Sequence, residues 1–501
     1  MSSTANLRLR RNAAQLTALA GVEREIRAQD SHGRRKYLRE FSHAFRNYDS
    51  LLDSQQIQNA LHAADVVLIG DYHALPAAQR YAASLIEQRA LAGDRPVVLG
   101  VETIFARDQH ILDDWWRREV DESELRQRIR FDLDWGYEWK PFHELLVTAR
   151  DHAEAVYGLD CMPREDLRKI GARDRHAAAK ISEIRDRHPD AVIFVLFGES
   201  HLAPEHLPLI LRQRFPEKRL LTVLQNVDSL YWRAAGESCQ QVPAVRVSED
   251  VVCVFNSTPL EKYESYRLCL ERWSQPEPDA PDFSPAVYNL IHCLVQFLNI
   301  NFYSPHNGTQ PKFLVDLLPE VYCHPPESVL RKLFTGPDGR SAIDALLCRL
   351  EERGSVYIAK TNTLFIREFH LPFVSQEVAR FLHHACRGLP ENRYPRPENG
   401  TGSEGRFCTE VLESALVYFA ARVLCPFGTA LGPAETDFDT EAAGFSLGTG
   451  LYEAYVQGRI NLTFLRRLFL ARLEERGTAC KTYLEAGRRA GVRLPACQPK
   501  L

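Results

Sequence analysis

Residues 66–73 read VVLIGDYH and residues 194–201 read FVLFGESH. Each is a strand-length apolar run ending in Gly-x-x-His, at Gly70 and His73 in the first copy and at Gly198 and His201 in the second. A short β-branched run without polar alternation fits the interior of a parallel sheet, where helices cover both faces. The glycine suits a sharp exit from the strand, where a side chain would obstruct the turn or a positive φ is needed. The histidine then stands at the strand's carboxyl end, the edge of an open parallel sheet where ligands bind.

Further strand-like runs lie at Val97–Val101, Ala155–Leu159 and Leu220–Leu224, with helical stretches between them at Pro76–Ala92, Asp108–Arg118, Pro141–Ala153 and Glu165–Arg187. This alternation predicts βαβ units around a mostly parallel sheet, because parallel neighbours need crossover connections. Val251–Phe255 adds a strand and Leu260–Trp273 a helix, after which SQPEPDAPDFS at 274–284 has the composition of a linker. The remainder is mainly helical. There, Glu327–Phe334 and Ser341–Arg353 precede a β-hairpin of Val356–Ala359 and Leu364–Arg367, the order of a winged-helix module. The predicted organisation is a solvated helical leader at 1–47, an α/β domain at 48–273, a linker at 274–284, a helical domain with the hairpin at 285–387, a second linker at 388–406 and a helical region at 407–501.

The chain has 501 residues, 45% of them hydrophobic and 26% charged, with a formal net charge of −4. That balance gives no electrostatic drive toward nucleic acid or an anionic membrane, and the charges around the hairpin are mixed rather than basic. No apolar run reaches the length of a membrane span, and no apolar segment follows the basic residues of the leader as a secretory signal requires. The expected location is cytoplasmic. The 12 cysteines contain no CxxC pair, so reduced, structural thiols are expected.

A third polar group reaches the edge marked by the two histidines. The strand from Pro96 to Val101 is apolar up to Glu102, and a carboxylate ending a buried strand needs an ion pair, hydrogen bonds or a cation. Two imidazoles and a carboxylate form a ligand set for a divalent transition metal. Asp71 and Glu199, each following its glycine, are candidates for further ligands or for a general base acting on metal-bound water. The tryptophans Trp115, Trp116, Trp135 and Trp139 would suit a planar macrocycle, with core packing as the plainer reading.

The segment from Tyr48 to about Arg214 resembles the ChaN-like haem-binding family, grouped with the Tiki proteases, the TraB proteins and the erythromycin esterases. Besides both Gly-x-x-His motifs and Glu102, the matching features are DLDWGYEWKPF with Tyr137, AVYGLD at 155–160, and RDRHAAAKI opening with Arg173 and Asp174. The resemblance implies a compact α/β fold with its cleft at the histidines. It makes His73 and His201 ligand or base candidates, Glu102 a ligand or orienting carboxylate, and Tyr72 and Tyr137 cofactor-binding groups. Arg173 and Asp174 are expected either to be structural, since an ion pair at a helix start stabilises its terminus, or to support the site residues from behind. The first motif carries Asp71 where the family usually has glutamate. Three readings follow: a haem- or metal-binding protein in iron or haem handling; a metal-dependent hydrolase of a peptide or ester bond; and an inactive scaffold.

Overall fold

The computed structural model describes residues 2–30, 36–161, 170–237, 242–274, 281–300, 314–325, 328, 339–387, 403–426, 439–473 and 475–493. It divides into two compact units, one of Ile26–Trp273 and the other of residues 1–25 with 274–501.

The first unit is built on an eight-stranded sheet. Its strands in chain order are β1 (Ser50–Leu52), β2 (Val66–Asp71), β3 (Val97–Phe105), β4 (Ala155–Asp160), β5 (Val192–Gly198), β6 (Leu220–Gln225), β7 (Ala244–Ser248) and β8 (Val251–Val254), and in space they run β1-β7-β8-β6-β2-β5-β3-β4. From β8 to β4 every pairing is parallel, while β7 is antiparallel to both β8 and β1. The mostly parallel α/β sheet expected from the sequence is therefore present. Every residue of β2, β3 and β5 is buried, as covered faces require. Helices Pro76–Leu91, Gln109–Trp116, Trp139–His152 and Ile170–Arg187 occupy the expected crossovers; residues 165–168 of the last predicted helix lie outside the described residues, as does 169.

Two registers position the site. Asp71 stands opposite Gly198, so the two motifs leave the sheet side by side, and Val101 stands opposite Leu196, which brings Glu102 to the same edge from the other flank of β5.

The second unit is mainly helical, with Ser284–Phe297, Gly339–Arg353, Leu371–Arg387, Ser403–Leu424, Asp439–Val456, Leu462–Phe469 and Thr478–Ala490. The predicted hairpin forms as β10 (Ser355–Ile358) against β11 (Thr363–Ile366), and β9 (Glu320–Tyr322) adds to it in parallel. The predicted helix Glu327–Phe334 falls almost wholly outside the described residues, as do most of the two proposed linkers. The opening helix, Ser2–Gln29, is not solvated throughout. Ala14, Ala18 and Val22 are buried, Arg10 donates to the Tyr455 carbonyl at 3.1 Å, and Asn289 donates to the Ala18 carbonyl at 3.0 Å. No described helix is long and apolar enough to cross a membrane.

Candidate functional site

The carboxyl edge of β2, β5 and β3 carries a buried charge network centred on Glu102. Its carboxylate accepts hydrogen bonds from Arg173 on one oxygen and from the Gly198 backbone N–H on the other. Arg173 also binds Asp160, at the end of β4, through Nε at 2.9 Å and a terminal nitrogen at 3.0 Å. Burial opposes the charge on Glu102, but Arg173, the two imidazoles and the Gly198 N–H outweigh it and hold the carboxyl down to about 2. Burial likewise opposes the Arg173 cation, and its two carboxylates raise its pKa above the ordinary value.

Both motif histidines face this carboxylate. His73 Nε2 lies 3.8 Å from one Glu102 oxygen and His201 Nε2 lies 3.8 Å from the other. Each ring is oriented from behind by an aspartate: His73 Nδ1 pairs with Asp71 at 2.8 Å, and His201 Nδ1 with Asp174 at 2.5 Å. Asp174 also binds His206 Nδ1 at 2.8 Å, and Gln79 donates to Asp71. An aspartate at Nδ1 fixes the tautomer that leaves Nε2 available as base or ligand. The two rings differ in access, since the His73 side chain is 21% exposed and that of His201 is 6%. His73 is thus the more accessible of the two. Burial disfavours protonated His73, but Asp71 and then Glu102 prevail and raise its pKa.

The carboxylates of the two motifs have diverged in role. Asp71 serves its own histidine, whereas Glu199 turns to Lys262, whose Nζ lies 3.2 Å from both of its oxygens. Burial raises the Glu199 pKa against the pull of Lys262. Glu199, expected as a base or extra ligand, is thus held in a separate ion pair. Arg173 and Asp174 do not form the ion pair expected at a helix start; they point to different partners, because adjacent helical positions diverge.

Glu102 also departs from the expected metal triad. Both its oxygens are engaged by protein donors, and among the described residues no group of three or more His, Cys, Asp or Glu is placed to hold a metal ion.

Of the two reasons expected for the glycines, space and backbone conformation, only the first applies, and only at Gly198. Neither Gly70 nor Gly198 adopts a positive φ. Gly198 is needed for space: a Cβ there would lie 3.0 Å from Glu102 Oε2 and 3.2 Å from the His73 ring, whereas a Cβ at Gly70 meets only ordinary contacts. Gly198→Ala is therefore expected to cost about 1–3 kcal/mol, while Gly70→Ala costs less; paired urea denaturation curves measure the difference.

Acid titration offers a second check. The Glu102 pKa is depressed in the folded state, so its stabilising contribution is complete above the unfolded value of 4.5 and is lost as pH falls toward about 2. The loss of stability across that interval is expected to shrink in Glu102→Gln, measured by denaturation midpoints from pH 5 to pH 2.

Aromatic rings border His73. Trp135 lies 4.4 Å and Tyr137 5.3 Å away, centroid to centroid. Trp115 is instead packed under Arg150, and Trp139 stacks on His143. Helix Pro259–Ser274 brings Tyr266 to within 6.3 Å of Tyr72 and Trp273 to within 5.3 Å of Tyr137. Tyr266, Trp273, Lys262, Asp160 and His206 join the site without being marked as members of it by the sequence motifs; the only signal for the first three is a helix with Lys262, Tyr266 and Trp273 on one face.

Residues 57–191 match the family model described as haem-binding uptake, Tiki superfamily, ChaN. No curated protein matches the chain. Among solved structures, ChaN of Campylobacter jejuni, described with cofacial haem binding, is 14% identical with a TM-score of 0.27, covering 35% of this chain and 86% of its own. The type III effector HopBA1 is 16% identical with a TM-score of 0.28, covering 42% of this chain and 96% of its own.

Proposed function

We propose, from the premise that residues 57–191 form a ChaN-like domain of the Tiki superfamily, that this protein binds haem at the carboxyl edge of β2 and β5 with His73 as the iron-facing group. The observation that carries the proposal is the setting of His73: partly exposed, bordered by Trp135 and Tyr137, with Nδ1 held by Asp71 so that Nε2 is left for a ligand. Haem would supply the iron, and Tyr72 and Tyr137 would line its approach. His201 and Glu102, both buried, would maintain the charge balance behind His73. Haemin titration of the purified chain, followed at the Soret band, tests this; saturable binding near one or two equivalents is expected, and a strictly linear, unsaturable rise would sink it.

A second reading, hydrolysis of a peptide or ester bond, is favoured by one observation: each histidine has an aspartate at Nδ1, the arrangement that orients a general base. This form of the reading needs no metal triad. It predicts release of product from a chromogenic ester panel that disappears in His201→Gln; turnover unchanged by that substitution would remove it.

A further inference from the structure

The rings around the site form a connected series. From His73 it passes to Trp135 and Tyr137, then from Tyr137 to Trp273 at 5.3 Å, from Trp273 to Tyr266 at 6.2 Å and from Tyr266 to Tyr72 at 6.3 Å, which is next to His73 in the chain. The part of the series formed by Tyr266 and Trp273 comes from helix Pro259–Ser274, beyond the matched segment of 57–191. We propose that Tyr266 and Trp273 are specificity-determining residues that hold a planar tetrapyrrole by its face, independently of its iron.

Three features of the helix support this. Lys262, Tyr266 and Trp273 lie four and seven residues apart, a spacing that sets them on one helical face. Each is fixed at its polar end: Lys262 by Glu199, Tyr266 by donating to Asp30 at 2.8 Å, and Trp273 by donating to the Gly136 carbonyl at 2.8 Å. Rings anchored in this way lose little freedom when a ligand stacks on them. Trp273 is nevertheless 45% exposed, so a large apolar ring with a secured N–H faces outward, separated from the partly exposed His73 by Tyr137. A broad flat ligand can use this surface; a small ester cannot reach from His73 to Trp273 across the intervening Tyr137.

The inference rests on the haem reading for its ligand class, and metal-free protoporphyrin IX separates the two. The full-length chain is expected to bind this porphyrin, followed by the porphyrin's own fluorescence. Trp273→Ala and Tyr266→Ala should each weaken binding about tenfold, while Tyr266→Phe, which keeps the ring and loses only its anchor, should weaken it less. Trp273 is at the surface, so Trp273→Ala remains a usable test even where Tyr266→Ala fails to fold. Porphyrin binding unchanged in Trp273→Ala, or haemin binding without porphyrin binding, overturns the inference and leaves the haem reading standing. Binding of neither compound overturns both.

Discussion

Replacing Arg173 with alanine is expected to destabilise the α/β unit by about 3–5 kcal/mol, the usual cost of removing one partner from a buried charge network. Arg173 is 5% exposed and bridges Glu102 on β3 to Asp160 on β4. Without it two buried carboxylates lose their shared cation, and the remaining stabilisation of Glu102 falls to Gly198 N–H and the imidazoles. For a unit of this size the unfolding midpoint should drop by about 6–20 °C. Arg173→Lys should fall between, since one ammonium cannot reproduce a planar fork that spans two carboxylates. Tryptophan fluorescence reads this unit alone: all 6 tryptophans of the chain, from Trp115 to Trp273, lie within it. A midpoint within a degree or two of wild type would show that the network does not hold the edge together.

The second large effect concerns His73. His73→Ala is expected to weaken haemin binding by at least about 100-fold, because even the outer partners of metal-bound histidines are worth 10–100-fold. Asp71→Asn, which keeps the shape but weakens the hold on Nδ1, should fall in that lower range. His201→Ala should leave much of the affinity, since His201 is shut away behind Glu102. Equal losses from His73→Ala and His201→Ala would instead mean that both imidazoles reach the ligand.

Much of the fold is legible in the sequence because the central strands are apolar without interruption. VVLIGD and VIFVLFG can be little else when both faces of the sheet are covered. The short edge strands are not legible: SLL and AVRVS carry too few residues to establish a period, and the pairing of β1 with β7 and of β7 with β8 depends on chain returns that no local pattern encodes. At the site, His73, His201 and Glu102 can be found because each ends a recognisable strand. Their partners cannot. Asp174 and Arg173 are neighbours in sequence but face His201 and Glu102 respectively, and helix direction rather than adjacency decides that. The metal triad lacks support for a related reason: the donors that occupy Glu102 are a backbone N–H and an arginine from a distant helix, and neither marks itself in sequence as a competitor for a carboxylate. Trp273 stands at a domain boundary, where a tryptophan reads as an end of packing rather than as a neighbour of Tyr137.

The most direct test of His73 as the iron-facing group is chemical rescue. Ferric haem is added to the wild-type chain and to His73→Gly, and the absorption and electron paramagnetic resonance spectra are recorded before and after adding free imidazole. The wild-type spectrum is expected to be lost in the variant and restored by imidazole. A wild-type spectrum that persists in His73→Gly without imidazole would contradict that assignment.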